Sequence, residues 1–210
     1  MDKKLLKLLK QKRKEIYIDP QSITLKFDRF LEENGVYHSL NQDSFRHSIN
    51  GKKHLCKPTL EFYQEAVYDN EKLFLLDCLL HMGYDNNLLC KLALNEFTSR
   101  DHNDNLWGYA DFLYSLKNYN FLNDYITIIM DRSYGDNREM LILLVGESKN
   151  QIVIPYLIEL SHDSDVIGHV LSALSYFSDD RIIPIMQETA VHPQKWVSKI
   201  ANKYLQKHRP

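Results

Sequence analysis

The chain has 210 residues, a formal net charge of −2 and an apolar fraction of 44 %. Seven glycines and six prolines are too few turn-forming residues for an all-β protein, and the apolar fraction is too high for a disordered one. We therefore expect an all-α protein that forms one continuous body.

The first predicted element is a lysine-rich helix over residues 2–15, followed by extended chain before Pro20. A second helix is predicted over residues 22–34, where Gly35 supplies the left-handed stop. A short helix over 43–49 and a turn at 50–53 follow. Further helices are predicted over residues 59–67, 70–82, 86–97, 105–116, 119–132, 137–145, 151–160, 165–176, 179–190 and 193–206.

A helical block recurs through the last two-thirds of the chain, with steps of 33, 31, 29 and 31 residues. The equivalent positions are His81, Tyr114, Val145, Leu174 and Leu205. Apolar residues recur four and one positions before most of these anchors, and a second apolar stripe is centred ten residues after them. A period near 30 residues made of two short amphipathic helices is typical of an α-solenoid, because each hairpin buries its apolar face only against its neighbours.

The block at residues 137–146 resembles the first helix of the short bacterial HEAT-like repeats, with Arg138 at that family's arginine position and Gly146 at its turn glycine. Residues 166–175 match less fully, and Pro155 and Pro184 stand where that family often carries proline. The resemblance covers residues 69–208. It implies an α-superhelix of four to five HEAT-like hairpins that binds other macromolecules, and it transfers no catalytic residue. We accordingly divide the chain into an N-terminal helical cap, residues 1–57, and a repeat solenoid, residues 58–210.

Three cysteines without paired spacing, Cys56, Cys78 and Cys90, favour a reducing compartment. The leucines at the N-terminus are interrupted by lysines before they reach the length of a signal-peptide core. No stretch approaches the roughly 20 apolar residues that span a bilayer. We expect a cytoplasmic protein that does not enter a membrane.

The sequence favours neither a metal site nor a catalytic site. His162, Asp163, Asp165 and His169 match no tetrahedral zinc spacing, and Asp165 is better placed as the N-cap of the helix that carries His169. No nucleophile set, phosphate-binding glycine loop or dinucleotide motif occurs. We therefore expect no cofactor, no metal and no catalysis.

Trp107, Asp111 and Arg138 resemble the Trp, Asp and Arg that line the binding face of HEAT-like alkylpurine DNA glycosylases, and this resemblance implies an alternative nucleic-acid site. Such a face needs lysines around it to hold phosphates. The aspartates around it in this sequence are Asp101, Asp104, Asp124, Asp131 and Asp136. These carboxylates make the glycosylase function the less favoured alternative.

Charge is strongly segregated along the chain. Residues 1–16 hold seven bases against two acids, residues 195–210 hold five bases and no acid, and residues 58–194 hold 21 acids against eight bases. An acidic body repels phosphate backbones and attracts basic partners. The partner-binding residues predicted on second helices and their loops are Asp124, Tyr125, Glu159, Asp163, Asp165, Asp180 and Glu188.

The sequence thus predicts a non-catalytic α-solenoid that binds a basic protein, as a monomer or weak homodimer. Its most specific form is a bacterial immunity-type inhibitor that covers the cationic groove of a toxin or nuclease. An adaptor or a regulatory scaffold fits the same features.

Overall fold

The computed structural model describes residues 22–37, 42–100 and 106–208. Over these ranges the chain is all-helical, with twelve α-helices and no strand. The predicted helix over residues 2–15 lies outside the described residues. Contacts divide the chain into two compact units, Met1–Leu89 and Cys90–Pro210.

The first unit contains α1 (Ile23–Glu33), α2 (Gln42–Ile49), α3 (Cys56–Glu65) and α4 (Asp69–Met82). Helix α3 packs on α1 and α4, and α2 packs on α4. The ring of Phe27 lies 5.3 Å from that of Phe62 and 6.1 Å from that of Phe74, so an aromatic cluster forms the core of this unit. The boundary predicted after residue 57 falls inside α3. Because that helix packs against the helices on both sides of it in sequence, the first unit extends to Leu89.

Asp77 stands at a position of the repeat stripe where the later repeats carry apolar residues. The guanidinium of Arg46, from α2, donates two hydrogen bonds of 3.0 Å to the two carboxylate oxygens of Asp77. A bidentate pair of this kind satisfies a half-buried carboxylate. Arg46 of α2 therefore compensates for the carboxylate of Asp77, which interrupts the apolar stripe.

Helix α5 (Asn86–Thr98) begins in the first unit and ends in the second, and seven further described helices follow it in the second unit. In chain order they are α6 (Trp107–Leu116), α7 (Leu122–Met130), α8 (Glu139–Glu147), α9 (Ile154–Leu160), α10 (Ile167–Leu174), α11 (Ile182–Thr189) and α12 (Lys195–Lys207).

Packing in the second unit alternates in a regular way. Helix α8 contacts α6 and α10, and α10 contacts α12, so the first helices of successive pairs are neighbours. Helices α7, α9 and α11 pack on α8, α10 and α12 respectively, and α7 also contacts α9. The apolar faces of these helices are buried between the two rows, as the repeat stripes require.

Two turns between paired helices share one local structure. Lys117 and Lys149 both have positive φ, 50° and 53°. In each turn the next residue is an asparagine, Asn118 or Asn150, whose side chain accepts a hydrogen bond from the backbone amide two residues on. The repeated Lys-Asn dipeptide thus specifies how the chain reverses before α7 and before α9.

Gly146 has a different role from the one that the resemblance implies. It lies within α8, and the chain turns at Lys149 instead. A Cβ atom placed on Gly146 would lie 2.6 Å from both the Cα and the Cβ of Ala173 in α10. Gly146 is therefore required for the close approach of α8 and α10, and not for a turn.

We expect Gly146→Ala to destabilise the second unit. Alanine is favoured over glycine in a helix by about 0.5–1 kcal/mol, but its methyl group would push α8 away from the backbone of α10, at a cost of about 1–3 kcal/mol. The free energy of unfolding from urea titration measures the balance.

Gly168→Ala is the matched control for this substitution. The three atoms nearest to a Cβ placed there, at 1.6 to 2.3 Å, all belong to the ring of the half-exposed Trp196 and none to backbone, so the overlap is relieved by moving a side chain rather than a helix. A Gly146→Ala protein at least as stable as the wild type would contradict the close-approach role.

Candidate functional site

Five of the seven predicted partner-binding residues are exposed carboxylates on the second unit. We call this set the acidic surface; its members are Asp124, Glu159, Asp165, Asp180 and Glu188. Asp124 lies on the first turn of α7, while Glu159 and Glu188 lie near the ends of α9 and α11. Each second helix of this unit after α5 thus presents one exposed carboxylate to solvent.

Tyr125 is wrong as a partner-binding residue, because its side chain is completely buried. Its hydroxyl donates a 3.0 Å hydrogen bond to the carbonyl of Asn118 and lies 2.9 Å from the sulfur of Cys90. Burial raises the pKa of Tyr125 and raises the pKa of Cys90 to about 11. Both groups are therefore neutral at physiological pH, and they tie α5 to α7 within the core.

Asp163 is also removed from the predicted surface, because it is buried beside Arg138. The arginine is itself fully buried and uses three of its nitrogens. Its Nε donates to the carbonyl of Gly135 at 2.8 Å, its Nη1 to the carbonyl of Ile129 at 2.9 Å, and its Nη2 to Asp163 at 2.9 Å. Arg138 thus joins the end of α7 to the loop between α9 and α10, and Asp163 has a structural role in that contact.

The surroundings of Asp163 keep it ionised. Burial alone would raise its pKa, but the hydrogen bonds from Arg138 and from the backbone amide of Asp165 outweigh burial, and the pKa of Asp163 lies below its ordinary value. Arg132, whose Nε lies 3.8 Å from the same carboxylate, acts in the same direction. A carboxylate held in this way stabilises the folded chain at neutral pH.

Asp165 does not cap the helix that follows it. Helix α10 begins at Ile167 after Val166, with no side-chain cap. The backbone amide of Asp165 instead donates to Asp163 Oδ1 at 3.2 Å. The predicted N-cap is therefore wrong, and the Asp165 carboxylate is left exposed on the acidic surface.

A cavity of about 460 Å³ lies between the loop after α9 and the end of α11. Its polar lining includes His162, Ser164, Glu188 and His192. The Glu188 carboxylate thus stands at the rim of a concave site, next to the loop that carries Asp165. A concave site beside exposed carboxylates suits the insertion of a basic side chain.

The alternative nucleic-acid site does not form a surface. Trp107 is 49 % exposed and Asp111 is exposed, but Arg138 is buried with its guanidinium occupied by two carbonyls and a carboxylate. The arginine cannot reach a phosphate or a base without breaking these contacts. Its inclusion in that site is therefore wrong.

The histidine group weighed for metal binding is dispersed. His169 Nδ1 lies 3.2 Å from Glu139 on α8, and its ring packs against Trp196 on α12. Within residues 22–37, 42–100 and 106–208, no group of three or more His, Cys, Asp or Glu side chains is arranged to hold a metal ion.

A cluster that sequence reasoning missed lies at the ends of α6, α8 and α10. Glu147 accepts hydrogen bonds from the hydroxyl of Tyr114 at 2.6 Å, from the ammonium of Lys117, and from the hydroxyl of Tyr176 at 3.3 Å. Burial opposes ionisation of Glu147, but these donors prevail and its pKa is lowered. The repeat register could have revealed this cluster in the sequence, because it places Tyr114, Glu147 and Tyr176 within two positions of one another.

Comparison with protein-family models, curated proteins and solved structures finds no match for this chain. The HEAT-like resemblance stays a prediction. In the parts of the chain that the structure describes, no helix is both long and apolar enough to cross a membrane.

We expect Arg138→Met to destabilise the second unit by about 3–5 kcal/mol, because it leaves Asp163 as a buried charge without its main partner. Combining it with Asp163→Asn should recover part of this loss. Unfolding of the two single variants and the double variant measures the coupling. Additive effects would contradict a direct interaction.

The same pair predicts a pH dependence. Because the folded-state pKa of Asp163 is lowered, its contribution to stability is present above the unfolded-state pKa of about 3.9 and is lost as pH falls through the folded-state pKa. Between about pH 5 and pH 2.5, the wild type should lose more stability than Asp163→Asn. Parallel stability curves for the two proteins would refute this assignment.

Proposed function

We propose that this protein is a non-catalytic protein-binding α-solenoid whose acidic surface binds a basic partner. The main support for this proposal is the solvent exposure of Asp124, Glu159 and Glu188, which lie on three successive second helices. Asp163, the buried carboxylate of the predicted set, is instead paired with Arg138. The charges left on the surface are available for a partner.

The solenoid arrangement is part of the proposal. Its support is the regular neighbour pattern of α6, α8, α10 and α12, together with the pair of identical Lys-Asn turns. Stacked hairpins present successive surface residues on a rigid frame. A rigid frame lowers the conformational entropy lost when a partner binds.

Electrostatics favours a cationic partner. Exposed carboxylates repel phosphate backbones and accelerate the encounter with a positively charged protein. The cavity lined by Glu188, Ser164 and His162 accommodates one lysine or arginine side chain of such a partner. In the narrowest form of the proposal, the partner is a basic toxin or nuclease whose cationic groove is covered by this surface.

We expect the chain to bind a fluorescein-labelled peptide of about ten lysines, with an affinity that falls steeply between 50 and 200 mM salt. Reversal of three carboxylates, Asp124→Lys, Glu159→Lys and Glu188→Lys, should weaken binding about tenfold or more, because each exposed ion pair contributes about 0.2–1 kcal/mol and each reversal adds repulsion. Fluorescence anisotropy measures both effects.

The matched control reverses three exposed glutamates of the first unit, Glu33→Lys, Glu61→Lys and Glu65→Lys. It changes net charge equally and should retain most of the affinity. Equal losses in the two triple variants would show that net charge alone drives binding and would overturn the acidic surface as the site. In capture experiments from cells, a basic protein retained by the wild type and by the control, but not by the first triple variant, would be the partner.

A further inference from the structure

A groove with a chemistry opposite to that of the acidic surface runs between α10 and α12. Part of it is a cavity of about 310 Å³, and its lining includes Ser172, Tyr176, Ile200, Lys203 and Lys207. We call this feature the α10–α12 groove. It lies within the second unit and shares no residue with the acidic surface.

Trp196 lies on α12 one helical turn before Ile200, which lines the cavity. Its ring is 48 % exposed and lies against Gly168 of α10, where any Cβ atom would collide with it. The ring of His169 meets it edge-on, with 5.7 Å between centroids. Trp196, Ile200, Lys203 and Lys207 follow helical spacing along one stripe of α12, which extends over about 17 Å at 1.5 Å per residue.

The α12 side of the groove is strongly cationic. Helix α12 contains no acidic residue, and its four lysines, Lys195, Lys199, Lys203 and Lys207, are spaced four residues apart and are all exposed. Successive lysines at this spacing are about 6 Å apart along the helix axis. Of these four lysines, Lys203 and Lys207 line the cavity between α10 and α12.

The carboxylates nearest the α10 side are already engaged. Glu147, beside Tyr176, accepts hydrogen bonds from Lys117 and Tyr114 as well. Glu139, on α8, faces His169 Nδ1 at 3.2 Å.

Burial raises the pKa of Tyr204, which lines the cavity, and Asp179 and Asp180 raise it further. Asp179, however, is paired with Arg181 at 2.7 Å. Lys203 and Lys207 in the lining outnumber Asp180, so the field in the cavity favours an anionic occupant.

Aromatic rings identify the class of anion. Tyr176, exposed by 44 %, lines the cavity, and Trp196, exposed by 48 %, lies one helical turn before Ile200 of the lining. Binding surfaces for single-stranded nucleic acids combine lysines that hold phosphates with exposed aromatic rings on which bases stack. In a duplex the bases are paired and do not reach such rings, and an acidic peptide supplies no flat base to stack on them.

We propose that the α10–α12 groove binds single-stranded nucleic acid, with Lys203 and Lys207 contacting phosphates and Trp196 stacking on a base. The groove length corresponds to about three nucleotides, taking roughly 6 Å per nucleotide to match the lysine spacing. This site is independent of the proposed function, since it uses another surface and a ligand of the opposite charge.

The first test is fluorescence anisotropy of the full chain with a labelled 12-nucleotide oligo(dT). Lys203→Glu with Lys207→Glu should weaken binding about tenfold or more at 50 mM salt and reduce the salt slope by about 1.4, since each lost phosphate contact on a single strand removes about 0.7. The control, Lys57→Glu with Lys91→Glu, makes the same charge change at exposed lysines outside the groove and should retain the wild-type affinity within about threefold.

The second test uses the fact that the chain has only two tryptophans. In a Trp107→Phe background Trp196 is the sole tryptophan, and stacking on a thymine base should quench its fluorescence as oligo(dT) is added. Quenching that follows the anisotropy curve supports the proposal. Binding without quenching contradicts the stacking role of Trp196.

Three further outcomes would overturn the proposal. The first is an affinity for oligo(dT) that Lys203→Glu with Lys207→Glu leaves unchanged, which would place binding elsewhere on the chain. The second is equal or tighter binding of a 12-residue polyglutamate peptide, which would identify an acidic protein as the occupant. The third is no binding of oligo(dT) at 50 mM salt.

Discussion

The second unit depends on a single buried arginine. Arg138 satisfies carbonyls that the end of α7 and the following turn would leave unpaired, and it is bound at the same time to Asp163 from the loop after α9. A buried guanidinium with three nitrogens in use is stable only if every acceptor stays in place. One side chain thus fixes the position of a helix end, a turn and the next interhelical loop.

This ion pair and the glycine contact act on the same helices. Gly146 lets α8 and α10 approach until backbone meets side chain, and Arg138, directly before α8, connects α7 to the loop that leads into α10. Close-packed helices of this kind do not slide freely, because small displacements produce collisions. The exposed carboxylates of α7, α9 and α11 are therefore held at nearly fixed spacings, as a surface that recognises a partner by charge requires.

Helical periodicity predicted most of the fold because burial along a helix leaves a direct trace in sequence. The helix predicted over residues 70–82 is observed as Asp69–Met82, and that over 86–97 as Asn86–Thr98. The same periodicity could have excluded Tyr125 from the surface, since it lies on the buried stripe of α7 with Leu122 and Ile129. No helical periodicity in the sequence indicated that Asp163 is buried. It lies in a loop without periodicity, and only the tertiary structure brings Arg138 to it across 25 residues.

The exposed carboxylates of the second helices and the lysines of α12 are distributed in different ways. The carboxylates of the second helices are dispersed, one exposed residue per helix, and their effect is collective, through the field that they sum to. The lysines of α12 repeat every four residues on a helix without acids, and their effect is local, because Lys203 and Lys207 line a cavity that also contains the exposed Tyr176. The low net charge of the chain therefore conceals exposed charges of both signs in the second unit. Because salt screens both sets of exposed charges, only substitutions confined to one set separate the two proposed interactions.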